Sequence, residues 1–403
     1  MSKRVILHVG TPKTGTSYVQ NVLYRNRPTL ATHGVLYPAD RFDGQFLAAL
    51  DLMRLPWGGL EADAIGAWAR LAGQVRRWPG TSIISHEVLA FATRAQAAQA
   101  LEDLGHPDAE VHLVISARDL VRQIPAEWQE NVKHRRTFPY AQFLQEIQDP
   151  SRASKTASWF WGVQELPDIL DRWGSQLPPE RVHVVTVPKP GAPSTLLWER
   201  FATAFEVGGL QLDLDVGRAN PSLGAPETAL LRRINRAVNR VVPPADYRPL
   251  VRELLAHQTL SQRRDSPRLS VPPEVHAWAT ELSTAWAGEL AERGYEIVGD
   301  LADLQPDEQT LPFFDPDAPR ERLVNKAALD VIRALLIEDV RLREVEAGLL
   351  ERLQESEAAL HRAYLRPTYK LREKAVAGLE SSRTGQLAMR AYRRARGRNS
   401  RSA

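Results

Sequence analysis

The residues best suited to chemistry lie near the start of the chain, in Gly10-Thr-Pro-Lys-Thr-Gly-Thr-Ser17. A β-branched run, Val5-Ile-Leu-His-Val, precedes them, and Ser17 to Arg25 follows with Val19, Val22 and Leu23 at helical spacing, which predicts strand, loop and helix. A glycine loop between a strand and a helix turns backbone N–H groups and the positive helix end toward an anion, and its glycines allow close approach. Gly10 and Gly15 are spaced as in the nucleoside-triphosphate loop GxxxxGK[ST], but Thr16 stands at the lysine position and the lysine has moved into the loop, to Lys13. A triphosphate loop also needs an Asp closing a second strand to hold magnesium. The candidate strand here, Val111 to Ile115, runs into Ser116-Ala-Arg-Asp, with no acid at that point.

Pro12-Lys-Thr-Gly-Thr-Ser17 resembles the 5′-phosphosulfate loop of the sulfotransferases that use 3′-phosphoadenosine 5′-phosphosulfate (PAPS), whose pattern is PKxGTT or a close variant. Ser17 replaces the second threonine and keeps its hydroxyl. About a hundred residues on, Ile115-Ser-Ala-Arg-Asp-Leu-Val-Arg122 is similar to the family's strand-to-helix segment for the donor's 3′-phosphate. The likeness covers residues 4–205 in outline and is close at these two motifs, nearest to the bacterial carbohydrate-type members. It implies PAPS as co-substrate, no metal, and in-line transfer of a sulfuryl group to an acceptor hydroxyl. In that scheme Lys13 neutralises the leaving phosphate, Pro12, Lys13, Thr14, Gly15, Thr16 and Ser17 hold the 5′-phosphate, and Arg118 binds the 3′-phosphate. One position departs from the pattern: the serine usually found eight residues after the arginine is Ala126, which leaves Gln123, one turn earlier, or Arg122 to donate instead.

The acceptor hydroxyl needs a base, and the family takes a histidine or glutamate from near the end of a neighbouring strand. Ser85-His86-Glu87 follows Ser82-Ile-Ile in such a position. Successive residues of an extended segment point to opposite sides, so one of the two faces the donor; Glu87 resembles the glutamate of carbohydrate sulfotransferases, and His86 is the alternative. Trp128, Lys133 and Arg135, after Arg118, could grip a sugar ring or an acidic acceptor, although Trp128 serves equally as core and the basic cluster as a solvated face. Trp159, Trp161, Trp173 and Trp198 fall on helical patterns and are expected to pack. Arg218 to Leu223 could place a loop over the donor or form an ordinary Asn-Pro turn.

The elements that must position these groups are those of a doubly wound α/β fold with a parallel sheet. Thr81 to Ser85, Val111 to Ser116 and Val182 to Val187 are predicted interior strands, and the stretches 62–75, 93–104 and 157–173 supply helical crossovers. After Pro188 helical patterns take over, in 194–204, 226–241 and 272–293. The expected organisation is a catalytic domain over 1–304, a Pro- and Asp-rich linker over 305–320, a long amphipathic helix over 321–365 and a basic tail over 366–403. Leu335, Leu342 and Leu349 lie seven apart, but Glu338 interrupts the seam; a homo-oligomer through this helix is left open.

A chain of 403 residues with 43% hydrophobic content can bury a sizeable core, and the absence of cysteine excludes disulfides, thiolate metal sites and a cysteine nucleophile. That fits a cytoplasmic setting. The first apolar run is too short for a signal segment. From Arg362 to Ala403 basic residues exceed acidic ones by about ten, so the high pI belongs to the tail and gives no reason to expect nucleic-acid binding. The tail could lie on an anionic membrane surface or remain disordered. The ten histidines form no ligand-spaced cluster. The expected acceptor is a carbohydrate or glycolipid hydroxyl. The competing functions are an ATP-dependent phosphate-loop kinase and a non-catalytic nucleotide-binding scaffold.

Overall fold

The computed structural model describes residues 2–215, 222–308, 312–365 and scattered positions between 367 and 377. Six strands, β1 (Arg4–His8), β2 (Val35–Leu36), β3 (Thr81–Ser85), β4 (Glu110–Ala117), β5 (Val182–Thr186) and β6 (Glu296–Val298), form one sheet in the order β2-β3-β1-β4-β5-β6. Every neighbouring pair is parallel. Parallel strands need crossovers that cover both faces, and period-2 alternation divides the strand side chains between two cores. Val5, Leu7, Ile84, Leu113, Ile115 and Val184 enter one. Ile6, Ile83, Val114 and Val185 enter the other, beneath α1 (Thr16–Arg25) and the later helix Leu196–Ala204.

The larger core is covered by α2 (Gly44–Met53), α3 (Ala67–Arg77), α4 (Arg94–Asp103), α5 (Leu120–Lys133), α6 (Tyr140–Gln148), α7 (Lys155–Gln164) and α8 (Leu166–Gly174). The stretch expected as one helix over 157–173 is two, because Glu165 is extended (φ −73°, ψ 91°) and Pro167 begins a new first turn. α9 (Leu196–Ala204), α10 (Ala225–Val238), a π-helical segment Arg248–Thr259 and α11 (Pro273–Glu292) complete the unit.

The first compact unit extends as far as Val331, and a second begins at Ile332. The segment 305–320, expected as a linker, makes contacts within the first unit. Asp317 accepts from the amides of Tyr140 (3.0 Å) and Ala141 (2.9 Å), capping α6, and pairs with Arg232. α12 (Glu321–Leu365) begins in the first unit, with Val324, Ala327 and Val331 buried. Farther along it Leu335, Leu336, Ile337, Val340, Leu342, Leu349 and Leu353 are exposed. No described helix is long and apolar enough to cross a membrane. Apart from a few positions, the basic tail lies outside the described residues, as does most of Arg218 to Leu223.

Candidate active site

Strand order reverses around β1: the chain leaves it for β2 and β3 on one side, then crosses to β4 on the other. Open α/β sheets place their ligand sites beyond the strand C-termini at such a switch point. The three segments singled out in the sequence, after β1, β3 and β4, meet there.

The loop after β1 is held in a strained, amide-presenting form. Gly10 (φ 116°), Lys13 (φ 66°) and Gly15 (φ 88°) are left-handed, and α1 starts at Gly15 with no side chain capping its first amides. A Cβ on Gly10 would lie 3.0 Å from the Glu87 carbonyl oxygen and 3.2 Å from its Cα. Only glycine fits there, and the contact sets Glu87 against the loop. The Thr14 hydroxyl turns inward, donating to Thr11 O (2.6 Å) while Ser116 Oγ lies 2.6 Å away, so it is a brace and its amide alone remains for an anion. That brace continues to buried His8, whose Nε2 is 3.1 Å from Ser116 Oγ and whose Nδ1 is 2.7 Å from Ser85 Oγ. One proton order satisfies the chain: Ser85 donates to Nδ1, Nε2–H to Ser116, and Ser116 to Thr14. His8 is therefore neutral, and burial pushes its pKa down to about 3. Thr16 is buried in the first turn of α1 and Ser17 is exposed.

Arg118, just after β4, donates from Nη1 to the Lys13 carbonyl (3.1 Å), tying the second motif to the first. Burial, and then the Arg122 charge, push its pKa down to about 10, which leaves it cationic at neutral pH. Its Nε is buried with no partner among the described residues, as is Arg122 Nη2. Arg122 otherwise pairs with Asp119 and donates to Pro188 O (3.0 Å). Gln123 Nε2 donates to Pro12 O (2.8 Å) and Gln164 Oε1 (2.9 Å), so one hydrogen holds the loop from beneath and the other is engaged by Gln164 rather than left for the phosphate expected there.

His86 and Glu87 diverge as extended neighbours should. His86 Nδ1 accepts from the Val88 amide (3.2 Å), so the neutral ring carries its proton on Nε2 and has no lone pair to spare. Burial lowers its pKa. Glu87 accepts from Gln20 Nε2 (2.7 Å). Burial alone would raise its pKa, but His86, its own amide, Gln20 and Lys13 outweigh that and hold it below the ordinary carboxylate range.

Sequence reasoning missed Glu130. Its Oε2 accepts from Lys13 Nζ (2.6 Å), and Oε1 from Arg252 Nη2 (3.0 Å), with His134 Nε2 at 3.1 Å and Lys133 Nζ 4.0 Å from Oε2. Burial opposes the charge, yet Lys13, His134, Lys133 and Arg252 together hold Glu130 well below the ordinary range. Burial pushes nearby Lys133 down to about 8 and raises Glu127, which accepts from Gln164 Nε2 (3.0 Å). Lys133 thus belongs to the Lys13 cluster. Arg135 does not: it donates to Asn239 O and Val242 O (both 3.0 Å) and lies over Tyr247, anchoring the end of α5. Trp128 is fully buried, its ring 4.7 Å from that of Tyr140, and is a core residue rather than an acceptor contact.

No family model matches the chain, and no curated protein matches it. Among solved structures it is similar to a sulfotransferase from Alicyclobacillus acidocaldarius, at 16% identity and a TM-score of 0.37, over 62% of this chain and 96% of that one.

Proposed function

We propose that this chain transfers a sulfuryl group from PAPS to an acceptor hydroxyl. The observation that supports this most is the joining of two cationic anion sites, where Arg118 at the end of β4 bonds the carbonyl of Lys13 in the loop after β1. The orphaned buried N–H groups of Arg118 and Arg122 and the uncapped start of α1 fit a ligand with phosphates at both places. The nearby Asp119 is no magnesium ligand: one oxygen caps α5 through the Arg122 amide (2.9 Å) and the other pairs with the Arg122 side chain. This disfavours the kinase reading.

When bound, the donor supplies an activated sulfuryl group on its 5′-phosphate. Lys13 neutralises charge that grows on the bridging oxygen as the S–O bond to phosphate breaks. Glu87, held ionised, accepts the acceptor's hydroxyl proton as the new O–S bond forms. Gln20 orients that carboxylate, and Glu130 positions the Lys13 ammonium. The acceptor class is a carbohydrate or glycolipid hydroxyl.

The test is incubation with PAPS labelled in its sulfate and a panel of soluble oligosaccharides and glycolipids. Transfer that is abolished in Lys13→Ala and Glu87→Gln is expected; transfer unaffected by both, or turnover of ATP with magnesium instead, overturns the reading.

A further inference from the structure

A chain of side-chain contacts runs from Lys13 round to Glu87. Lys13 pairs with Glu130 (2.6 Å), and Glu130 lies 3.1 Å from the His134 ring. The His134 ring is 5.9 Å from Trp57, Trp57 is 5.6 Å from Phe46, and Phe46 stacks on His86 at 5.0 Å. His86 lies 4.0 Å from Glu87, on which the Lys13 charge acts. Trp159 backs this wall, 5.6 Å from Trp57 and 4.7 Å from Phe91. These rings are half-buried, whereas Trp128, Phe143 and Phe160 are fully buried.

Trp57 sits on the turn after α2. The next two residues, Gly58 (φ 57°) and Gly59 (φ 89°), are left-handed and exposed, and a Cβ on either would meet nothing within 4 Å. The turn is fixed at its base by the Trp57 amide, which donates to Glu61 Oε1 (2.9 Å). The indole thus packs against the edge of the core while staying half-exposed, on the turn side of His134, which itself lies on Glu130.

We propose that Trp57, backed by Phe46 and Trp159, is the platform on which a pyranose ring of the acceptor stacks, with one ring hydroxyl directed to Glu87. This deepens the sulfuryl-transfer reading and rests on it. The arrangement of the rings favours a sugar over a flat arene. Trp57 meets Phe46 at 87° and Trp159 at 51°, so neither ring stands parallel to the indole to sandwich an arene against it. The rim is polar on both sides, with the His86 Nε2–H and Gln20 near Glu87 and with His134 across from them, which suits a ring that has an apolar C–H face and hydroxyls at its edge. The sugar contact that Trp128 could have supplied is thereby assigned to Trp57, which is half-exposed at the core's edge.

Saturation-transfer NMR tests this on the full chain with adenosine 3′,5′-bisphosphate present and a mixture of methyl β-D-glucopyranoside, methyl β-D-galactopyranoside and phenol as probes. The expected result is transfer to the C–H protons of at least one glycoside, weakened on the order of tenfold in apparent affinity by Trp57→Ala and largely restored in Trp57→Phe. No transfer to either glycoside, stronger transfer to phenol, or a glycoside signal unchanged in Trp57→Ala overturns the proposal. Bisphosphate affinity is measured on the same samples. If it is absent while the Trp57-dependent sugar signal persists, the donor reading falls and the platform stands.

Discussion

Lys13 and Glu130 are joined by a 2.6 Å ion pair between the loop after β1 and the last turn of α5. The carboxylate is shared with Arg252 and His134, with Lys133 close by, so Glu130 is ringed by the cations Lys13, Arg252 and Lys133. Neutralising that acid has two opposed consequences. Glu130→Gln is expected to bind adenosine 3′,5′-bisphosphate several-fold more tightly, because the anion no longer competes with a carboxylate for Lys13. The same variant leaves buried cations without a counter-charge, which costs about 2 kcal/mol of stability. Calorimetric titration and thermal unfolding on one preparation check both signs; weaker binding together with an unchanged melting temperature would contradict the assignment.

In the proposed reaction the base is Glu87 rather than His86, because the His86 lone pair is taken by the Val88 amide. Glu87→Gln is expected to lower transfer by about a hundredfold or more while leaving donor affinity within about twofold. Since the Glu87 pKa lies below its ordinary value, the carboxylate is ionised throughout the neutral range and the rate falls only in acid. The pH–rate profile should therefore be flat through the neutral range. Because burial also lowers the His86 pKa, the variants decide between the two: an acid limb that His86→Gln removes and Glu87→Gln leaves in place would transfer the role to His86.

His8 makes the fold sensitive to acid. Its folded pKa of about 3 lies below the usual histidine value, so the unfolded chain takes up the proton first. Stability from this group is intact above pH 6.5 and is lost as pH falls from there toward 3, at up to about 1.4 kcal/mol per pH unit. His86, and His257 at about 4, are shifted by burial in the same direction and add to the slope. Urea unfolding at several pH values should show a shallower decline in His8→Gln than in the parent, although that variant is less stable at pH 7.5 because the brace to Ser116 is disturbed.

Where the chain can be cut follows from what is buried. Ending it after Leu304 removes Asp317 from Arg232 and from the α6 amides, Asp330 from Arg263, and buried Val324, Ala327 and Val331. That protein is expected to be insoluble or to melt far below the parent. Ending it after Glu338 keeps all of these and should leave bisphosphate affinity unchanged. The exposed run from Leu342 to Leu353 is expected to mediate self-association, so sedimentation should show a larger species for the full chain than for the shortened one.

How much of this could be read beforehand depended on whether the signal was contiguous. Residues 10–17 and 115–122 carry their chemistry in unbroken motifs, and three interior strands are apolar runs, so the loop, Arg118 and the α/β class were legible. β2 and β6, of two and three residues, are too short for any periodicity. Trp128 and Glu130 are two residues apart on α5, about 200° around the helix, so one enters the core as the other meets Lys13; no local pattern says which face is which. Arg252 lies far from Glu130 in sequence, on a π-helical segment, and tertiary packing alone unites them. The split between α7 and α8 is marked in the sequence by Pro167, which favours the first turn of a new helix.

The central claim is that the loop after β1 and the segment after β4 bind the two phosphates of one donor. Titration with adenosine 3′,5′-bisphosphate beside ADP with magnesium, on the parent and on Lys13→Ala and Arg118→Ala, tests it most directly. Tight bisphosphate binding that weakens at least tenfold in each variant, with little affinity for the ADP complex, is predicted. Preference for magnesium ADP, or indifference to the loss of Arg118, would contradict it.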